Sequence, residues 1–527
     1  MQRPALFPGC PAPVPGGGHA AAEPRVTAIR DRARCRCRRA VAAAAGALCA
    51  VLLPGASLAA AAGARAAASG GSWGKAEVVR GLAARNKGGF ALVTTVSCAS
   101  AGNCAAAGIY ADRSGHERSY SDVFVVSQKN GRWGKAEEIP GTAALNVGDY
   151  ADFSTVSCGS AGNCAAAGNY TGRSGNSEVF VVSQKHGRWG KAQEVPGLAA
   201  VNKGDAGMES VSCAPAGSCS AGGTYTGRSG GFEAFVVSRK NGTWGKAEQV
   251  PGSAALNTGG DALVSSVSCA SAGRCAAGGH YSLPGNDNGQ PSEAFVVSQN
   301  KGRWGKAERV PGLAALDTGR ESEINSVSCD RAGSCAAAGY YTGRSFKSEG
   351  FVVSRKNGSW GRAEEVPGIA ALSKDAEFAA VSSVSCPSAG NCSAVGYYDI
   401  GVNGFRAFAV SQKNGTWGQA GLVPGLAALD TGGYSALGSA SCGSAGNCSA
   451  GGNYTRGRSG RTRAFVVTKD NGIWGQAEQV PGTAALNKGG NAGIGPVSCP
   501  PSGSCSAGGA YTDSSRHLQA FLVSQAP

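Results

Sequence analysis

The chain has 527 residues, 42% of them apolar and 16% charged, with 84 glycines; this is the composition of a folding chain and excludes a disordered one. The formal charge of +15 is uneven, because residues 1–70 hold nine Arg against Glu23 and Asp31, leaving 40 basic and 32 acidic side chains, a net +8, for the remainder. No Lys/Arg block marks a nucleic-acid groove, and so even a spread of charge reads as solubility.

The first recognisable element is a leader. Arg30–Arg39 is a basic run, Ala40–Leu53 is apolar, Pro54-Gly55 breaks it, and small-residue sites follow at Ser57-Leu58-Ala59 and Ala62-Gly63-Ala64. That is the pattern of a secretory signal and is too short for a membrane span. Residues 26–70 are therefore expected to be signal peptide and linker, and residues 1–25 to be a misassigned start. Arg38-Arg39 hints at twin-arginine export, but its context favours the general route. Cys49 lies inside the apolar run and is not expected to carry a lipid anchor. No later apolar run is long enough to span a membrane, so an extracellular protein is expected.

Residues 71–527 then read as one repeat domain. Sixteen of the 20 cysteines form eight C-x5-C pairs: Cys98/Cys104, Cys158/Cys164, Cys213/Cys219, Cys269/Cys275, Cys329/Cys335, Cys386/Cys392, Cys442/Cys448 and Cys499/Cys505. An even set with one near partner each, in an exported chain, predicts eight disulfides. The rival is metal binding, but two thiolates per repeat and almost no His supply no four-ligand site, and no cofactor is expected. With about seven residues closed, each bridge is worth roughly 2 kcal/mol in the chain-entropy model. The flanking strands are poor in large side chains, so the bridges are expected to substitute for core.

The first Cys recurs after 60, 55, 56, 60, 57, 56 and 57 residues. Each unit holds four strand-like runs, as in Ser154–Cys158, Cys164–Tyr170, Phe180–Ser183 and Trp189–Val195, with turn residues at every junction. Four antiparallel strands per 55–60 residues is the signature of a propeller blade. Runs one and two are Ser, Ala, Gly and Cys, suited to a crowded axis. Runs three and four carry Phe, Val and Trp, suited to packing between blades. In the last run Trp133, Lys135, Glu137 and Ile139 are expected to share a face, with the charges blunting the exposed edge.

The ends decide the architecture. Trp73–Val79 is a fourth strand alone, whereas Ser498–Ser524 supplies strands one to three alone. Together they complete a blade, which predicts an all-β, eight-bladed β-propeller closed by pairing of its N- and C-terminal strands, in preference to an open solenoid.

The hairpin Ser-Gln-Lys-Asn-Gly-x-Trp resembles the Asp-box (BNR) repeat, Ser-x-Asp-x-Gly-x-x-Trp. The spacing to Trp is one residue short and Lys usually replaces Asp; the copy nearest the pattern is Thr468-Lys-Asp470-Asn-Gly472-Ile-Trp474. The Ser-Cys…Cys-x-Ala-x-Gly run is similar to secreted bacterial propeller repeats. The resemblance covers about residues 72–527 and implies a propeller in which the hairpin is structural and lies away from the active face. Sialidases of that class use an arginine triad, a Tyr–Glu pair and an acidic residue, and these have no matching positions in this sequence.

Function is sought on the loops joining strand two to three and strand four to the next blade, which share a face. The first set repeats Tyr-x-x-Arg at Tyr110/Arg113, Tyr170/Arg173, Tyr225/Arg228 and Tyr341/Arg344, with Tyr454/Arg458 one residue longer. One reading is a ring of aromatic and guanidinium groups offered to a glycan, a polyanionic cell-wall polymer or a protein, each site weak and the set gaining by avidity. The other is that Tyr caps a strand and Thr-Gly-Arg-Ser is a solvated turn. The second set holds Asn146, Asn202, Asn257, Asp317, Asp430 and Asn487 before Gly, which read as Asx turns rather than calcium ligands. The tryptophans read as core rather than a stacking platform.

Four His lie beyond the leader, His116, His186, His280 and His517, each alone in the sequence, and no catalytic motif is present. The expectation is a monomeric, non-enzymatic binding propeller. The alternative is an Asp-box-type glycoside hydrolase or polysaccharide lyase with its site in the divergent blades near Asp287 or Asp399.

Overall fold

The structure is a computed structural model, and it describes residues 71–526 apart from 113–120, 216, 286–289, 344–346, 375, 402–403 and 458. Eight antiparallel sheets form the eight blades: blade 1 (91–138), blade 2 (151–194), blade 3 (206–249), blade 4 (262–309), blade 5 (322–365), blade 6 (379–422), blade 7 (435–479) and blade 8 (492–524 with 77–78). The fold is the expected eight-bladed propeller. Blade 8 is the composite: Glu77 pairs Leu522, Val78 pairs Phe521, and Trp73 bridges Gln525.

The eight expected disulfides are all present. Cys98–Cys104, Cys158–Cys164, Cys213–Cys219, Cys269–Cys275, Cys329–Cys335, Cys386–Cys392, Cys442–Cys448 and Cys499–Cys505 each join the first and second strands of a blade, with Cα–Cα distances of 3.9–4.2 Å. Their role in the core is more specific than expected, because the sulfurs themselves pack between blades. The second-strand members Cys104, Cys164, Cys219, Cys275, Cys335, Cys392, Cys448 and Cys505 are buried, 2–6% exposed, so none of them offers a surface to a ligand. Cys104 packs with Ala520 and Leu522 of blade 8, and Cys219 with Ala165 and Val181 of blade 2. In the same way Cys392 packs with Ala336 and Val352 of blade 5, and Cys505 with Ala464 and Val466 of blade 7. Cys448 Sγ lies 3.4 Å from Ser393 Oγ of blade 6. The physical reason is strand alternation, which turns the second-strand sulfur towards the preceding blade, where the apolar disulfide fills space that the small neighbouring side chains leave.

Phe124, Phe180, Phe235, Phe295, Phe351, Phe408, Phe465 and Phe521 are fully buried. They belong to clusters that join one blade to the next: Phe408 and Trp417 of blade 6 pack with Ala336, Val352 and Val366 of blade 5. Burying such aromatic and branched side chains between sheets is the main apolar contribution here. The outer hairpins turn through Asn130-Gly131 and its counterparts, both residues at positive φ, the geometry that matches the twist of paired strands.

The outermost strand differs from its expected form. It is two short pieces, Arg132–Trp133 and Glu137–Glu138, interrupted at Gly-Lys-Ala. The interruption re-aims one N–H: Ala192 donates to the Pro140 carbonyl of the preceding blade at 2.8 Å, and the pattern continues round to Ala76 donating to Pro481 at 2.8 Å. Consequently Trp133, Ala136 and Ile139 turn inward while Lys135 and Glu137 stay exposed, so the period is three rather than two. After Pro-Gly comes a single helical turn such as Thr142–Leu145, entered through Gly141 at φ 90.

Two further contacts explain the inner motifs. The Ser before each first-strand Cys accepts the backbone N–H of the next blade's Cys: Cys158 donates to Ser97, Cys213 to Ser157, and so on to Cys98 donating to Ser498, each at 2.9–3.0 Å. Each first strand also carries a bulge, as between Phe153 and Thr155. Across from it stands the Gly of Gly-x-Tyr, because a Cβ at Gly168 would lie 2.0 Å from the Asp152 carbonyl oxygen. Bulge and glycine together re-aim the neighbouring side chains.

Candidate functional site at the channel mouth

First strands are innermost and line the axial channel. They begin on the face that also carries the strand two-to-three loops. At that end three positions per blade change from blade to blade: the second residue of the first strand, its bulge residue, and the second-strand residue just before Tyr. The registers Asp152↔Asn169, Leu263↔His280, Glu323↔Tyr340 and Ala380↔Tyr397 place the first and third of these opposite one another.

Blades 2 to 5 make this wall polar. The Asn169 amide donates to Asp152 Oδ1 at 2.8 Å, and the Tyr150 hydroxyl donates to Asp152 Oδ2 at 3.1 Å. Burial pushes the Asp152 carboxyl above its ordinary value, against those hydrogen bonds. Glu209, the bulge residue of blade 3, is half-buried in the wall. Its carboxyl is pushed up to about 8, by burial first and then by Asp152 and Glu323, with His280 opposing. His280 Nδ1 stands 3.6 Å from Glu323 Oε1, an ion-pair distance too long for a hydrogen bond, with both side chains less than one-fifth exposed. Burial pulls the imidazole down, but Glu323, Asp261 and Glu209 outweigh it and its pKa is raised. The Ser265 hydroxyl completes the group, donating to Glu323 at 3.2 Å.

Blades 5 to 7 make the rest aromatic. Tyr340, Phe378, Tyr397, Phe405 and Tyr434 form a chain of half-buried rings with successive centroids 5.9, 5.9, 5.4 and 5.7 Å apart. Blades 8 and 1 contribute apolar Phe90, Leu92, Ile109 and Leu518. The mouth therefore has a carboxylate–imidazole arc meeting an aromatic arc where Glu323 pairs Tyr340. Among the described residues no three His, Cys, Asp or Glu side chains are placed to hold a metal ion.

The residues singled out from sequence fall on the same face but play other parts. Tyr110, Tyr170, Tyr225, Tyr341 and Tyr454 are buried, 1–7% exposed, so they are not a ring of open platforms. Each ring packs near its blade's Phe, as Tyr170 does at 6.4 Å from Phe180. The hydroxyls of Tyr110, Tyr341 and Tyr454 reach the outermost strand, as Tyr341 does to Glu365 at 3.1 Å, and that of Tyr170 donates to Glu178 on the third strand at 2.5 Å. Arg173 and Arg228 are exposed on tight turns, while Arg113, Arg344 and Arg458 lie outside the described residues, as does Asp287. Asp399 accepts the Glu377 N–H at 2.8 Å. Of the loop Asn/Asp oxygens, Asn202 makes the expected Asx turn, accepting from Gly204 N–H at 3.3 Å, whereas Asn257, Asp317 and Asp430 accept from the N–H four residues on, at 2.8–3.0 Å, and Asn146 Oδ1 is buried without a hydrogen bond.

No family model and no curated protein matches the sequence. Solved structures are similar in fold alone. A Xanthomonas campestris xyloglucanase shares 14% identity over 85% of this chain and 55% of its own, with a TM-score of 0.40. An ulvan lyase shares 8% over 80% of this chain and 90% of its own, at 0.38. A Trypanosoma rangeli sialidase shares 10% over 75% of this chain and 56% of its own, at 0.35. The chain thus spans a little over half the length of the xyloglucanase and the sialidase.

Proposed function

We propose that the protein is a secreted, lectin-like propeller that seats a saccharide chain at the mouth of its axial channel, on the face bearing the Tyr-x-x-Arg loops. The observation that carries this reading is the meeting of an aromatic arc with a polar arc at strand positions that change from blade to blade. Pyranose rings present apolar C–H faces to aromatic rings and hydroxyls to carboxylates and amides, so this pairing suits them. The exposed Arg173 and Arg228 extend the face outward, offering hydrogen-bond donors to the hydroxyls of a longer polymer. The leader pattern and eight disulfides support an oxidising, extracytoplasmic location.

A glycan and cell-wall polysaccharide array tests this, comparing the exported protein with a Tyr397→Ala/Phe405→Ala variant and an Arg173→Ala/Arg228→Ala variant. Loss of both rings is expected to weaken binding about tenfold or more, and loss of both guanidiniums less. Array binding unchanged by the ring variant, or no binding to any saccharide, overturns the reading.

The second reading, a polysaccharide hydrolase or lyase, draws on Glu209. A carboxyl pushed up to about 8 keeps its proton at neutral pH and is poised as a general acid. Release of new reducing ends from a bound polymer, abolished in Glu209→Gln, would favour it.

A further inference from the structure

Resting on the saccharide reading, we infer that the polymer seated at this mouth is cationic, an amino-sugar chain bearing ammonium groups, and not a polyuronate or sulfated chain. The wall of blades 2 to 5 holds Asp152, Glu209 and Glu323 within electrostatic reach of one another and of His280. Asp205, Asp261 and Glu321 stand at the residue just before the first strands of blades 3, 4 and 5. The carboxylates outnumber the one imidazole, and the exposed cations of this face, Arg173, Arg228, Lys203 and Arg320 among them, sit on loops rather than in the wall. A polyanion entering the wall of blades 2 to 5 would meet like charge at Asp152 and Glu323.

The aromatic arc gives the same sign. It begins at Tyr340, directly across the strand pair from Glu323, so an ammonium near that carboxylate also lies beside ring faces that attract cations. Glu209 adds a half-buried carboxyl with no hydrogen-bond partner among the described residues. Burial first, and then Asp152 and Glu323 facing it from blades 2 and 5, raise the Glu209 carboxyl, with His280 opposing them. A bound cation reverses that balance and releases the proton.

Three hexasaccharides of one length test the inference at neutral pH: N-trimethylated chitosan (permanently cationic), N-acetylated chitohexaose (neutral) and hexagalacturonate (anionic). Calorimetric titration is expected to rank them cationic, neutral, anionic, with about tenfold or more between the first two. Glu323→Gln should shrink that ratio. Repeating the cationic titration in buffers of different ionisation heat should reveal proton release, lost in Glu209→Gln. Neutral or anionic hexamer binding as tightly as the cationic one overturns the inference and leaves the saccharide reading standing. No binding of any hexamer or array saccharide overturns both.

Discussion

Glu209 shows how one side chain can couple this site to the stability of the whole chain. Its carboxyl ordinarily titrates at 4.5 and is pushed up to about 8 here, by burial first and then by Asp152 and Glu323. The folded state therefore keeps a proton that the unfolded chain gives up earlier, so the sign follows from linkage. This group's contribution is fully present at low pH, declines as pH rises from about 4.5 towards 8, and levels off above. Glu209→Gln removes the titration, so the stability difference between variant and parent should grow in the variant's favour across that window. Melting temperatures of the two proteins, measured from acid to mildly alkaline pH, give the answer, and parallel curves would mean that Glu209 titrates normally. Little of this was legible beforehand. His280 reads as a lone histidine because its partners Glu323, Glu209 and Asp261 arrive from other blades or another strand. A signal was nonetheless present. Within an otherwise constant Ala-x-Gly-x-Tyr run, the residue before Tyr is Ile109, Asn169, Thr224, His280, Tyr340, Tyr397, Asn453 or Ala510. Alternation on a strand puts that position on the face opposite the buried Tyr.

The Ser-x-Ser-Cys run shows the reverse case, an element whose composition was legible but whose work was not. Small residues at the axis were expected from crowding alone. The structure adds that each Ser hydroxyl satisfies a backbone N–H of the neighbouring blade, Ser157 accepting from Cys213 at 2.9 Å. First strands of adjacent blades share no ladder, so that N–H would otherwise go unpaired. Ser157→Ala should cost about 1–2 kcal/mol, whereas Ser229→Ala on an exposed turn should stay within about 0.5 kcal/mol. Urea midpoints at constant slope measure both, and equal midpoints would reduce the serine ring to a packing preference. The cysteines repeat the lesson: their pairing was legible from spacing, but the burial of Cys104 or Cys392 against the preceding blade was not, since spacing says nothing of a neighbouring sheet. The outer strand was misread for a related reason. Period-two alternation assumes one continuous ladder, and the Ala192 N–H leaves its own sheet to bond Pro140 of the preceding blade.

At the scale of the molecule, a nearly eightfold scaffold carries a site with no eightfold symmetry. Repeats fix where the inner strands start, and single substitutions at their channel ends then differentiate the wall at little cost to packing. The blade count and the closure were legible because half a hairpin stands at each end of the repeat. The asymmetric wall was not, because it emerges only when eight separated segments are wrapped about one axis. Closure makes a sharp prediction. Trp73 is 6% exposed and Trp244 is 4% exposed. Trp73 packs with Ala464, Val466 and Phe521 much as Trp244 packs with Ala165 and Phe235, and its indole N–H reaches Thr468 Oγ1 at 3.2 Å. In an open array a terminal residue frays locally, and its loss costs little. In a closed ring no blade is terminal. Trp73→Ala should therefore cost about as much as Trp244→Ala, roughly 3–5 kcal/mol each, with one cooperative transition in both. Denaturant unfolding of the two variants decides it: a Trp73→Ala protein as stable as the parent, beside a strongly weakened Trp244→Ala protein, would mean that the ring does not close in solution.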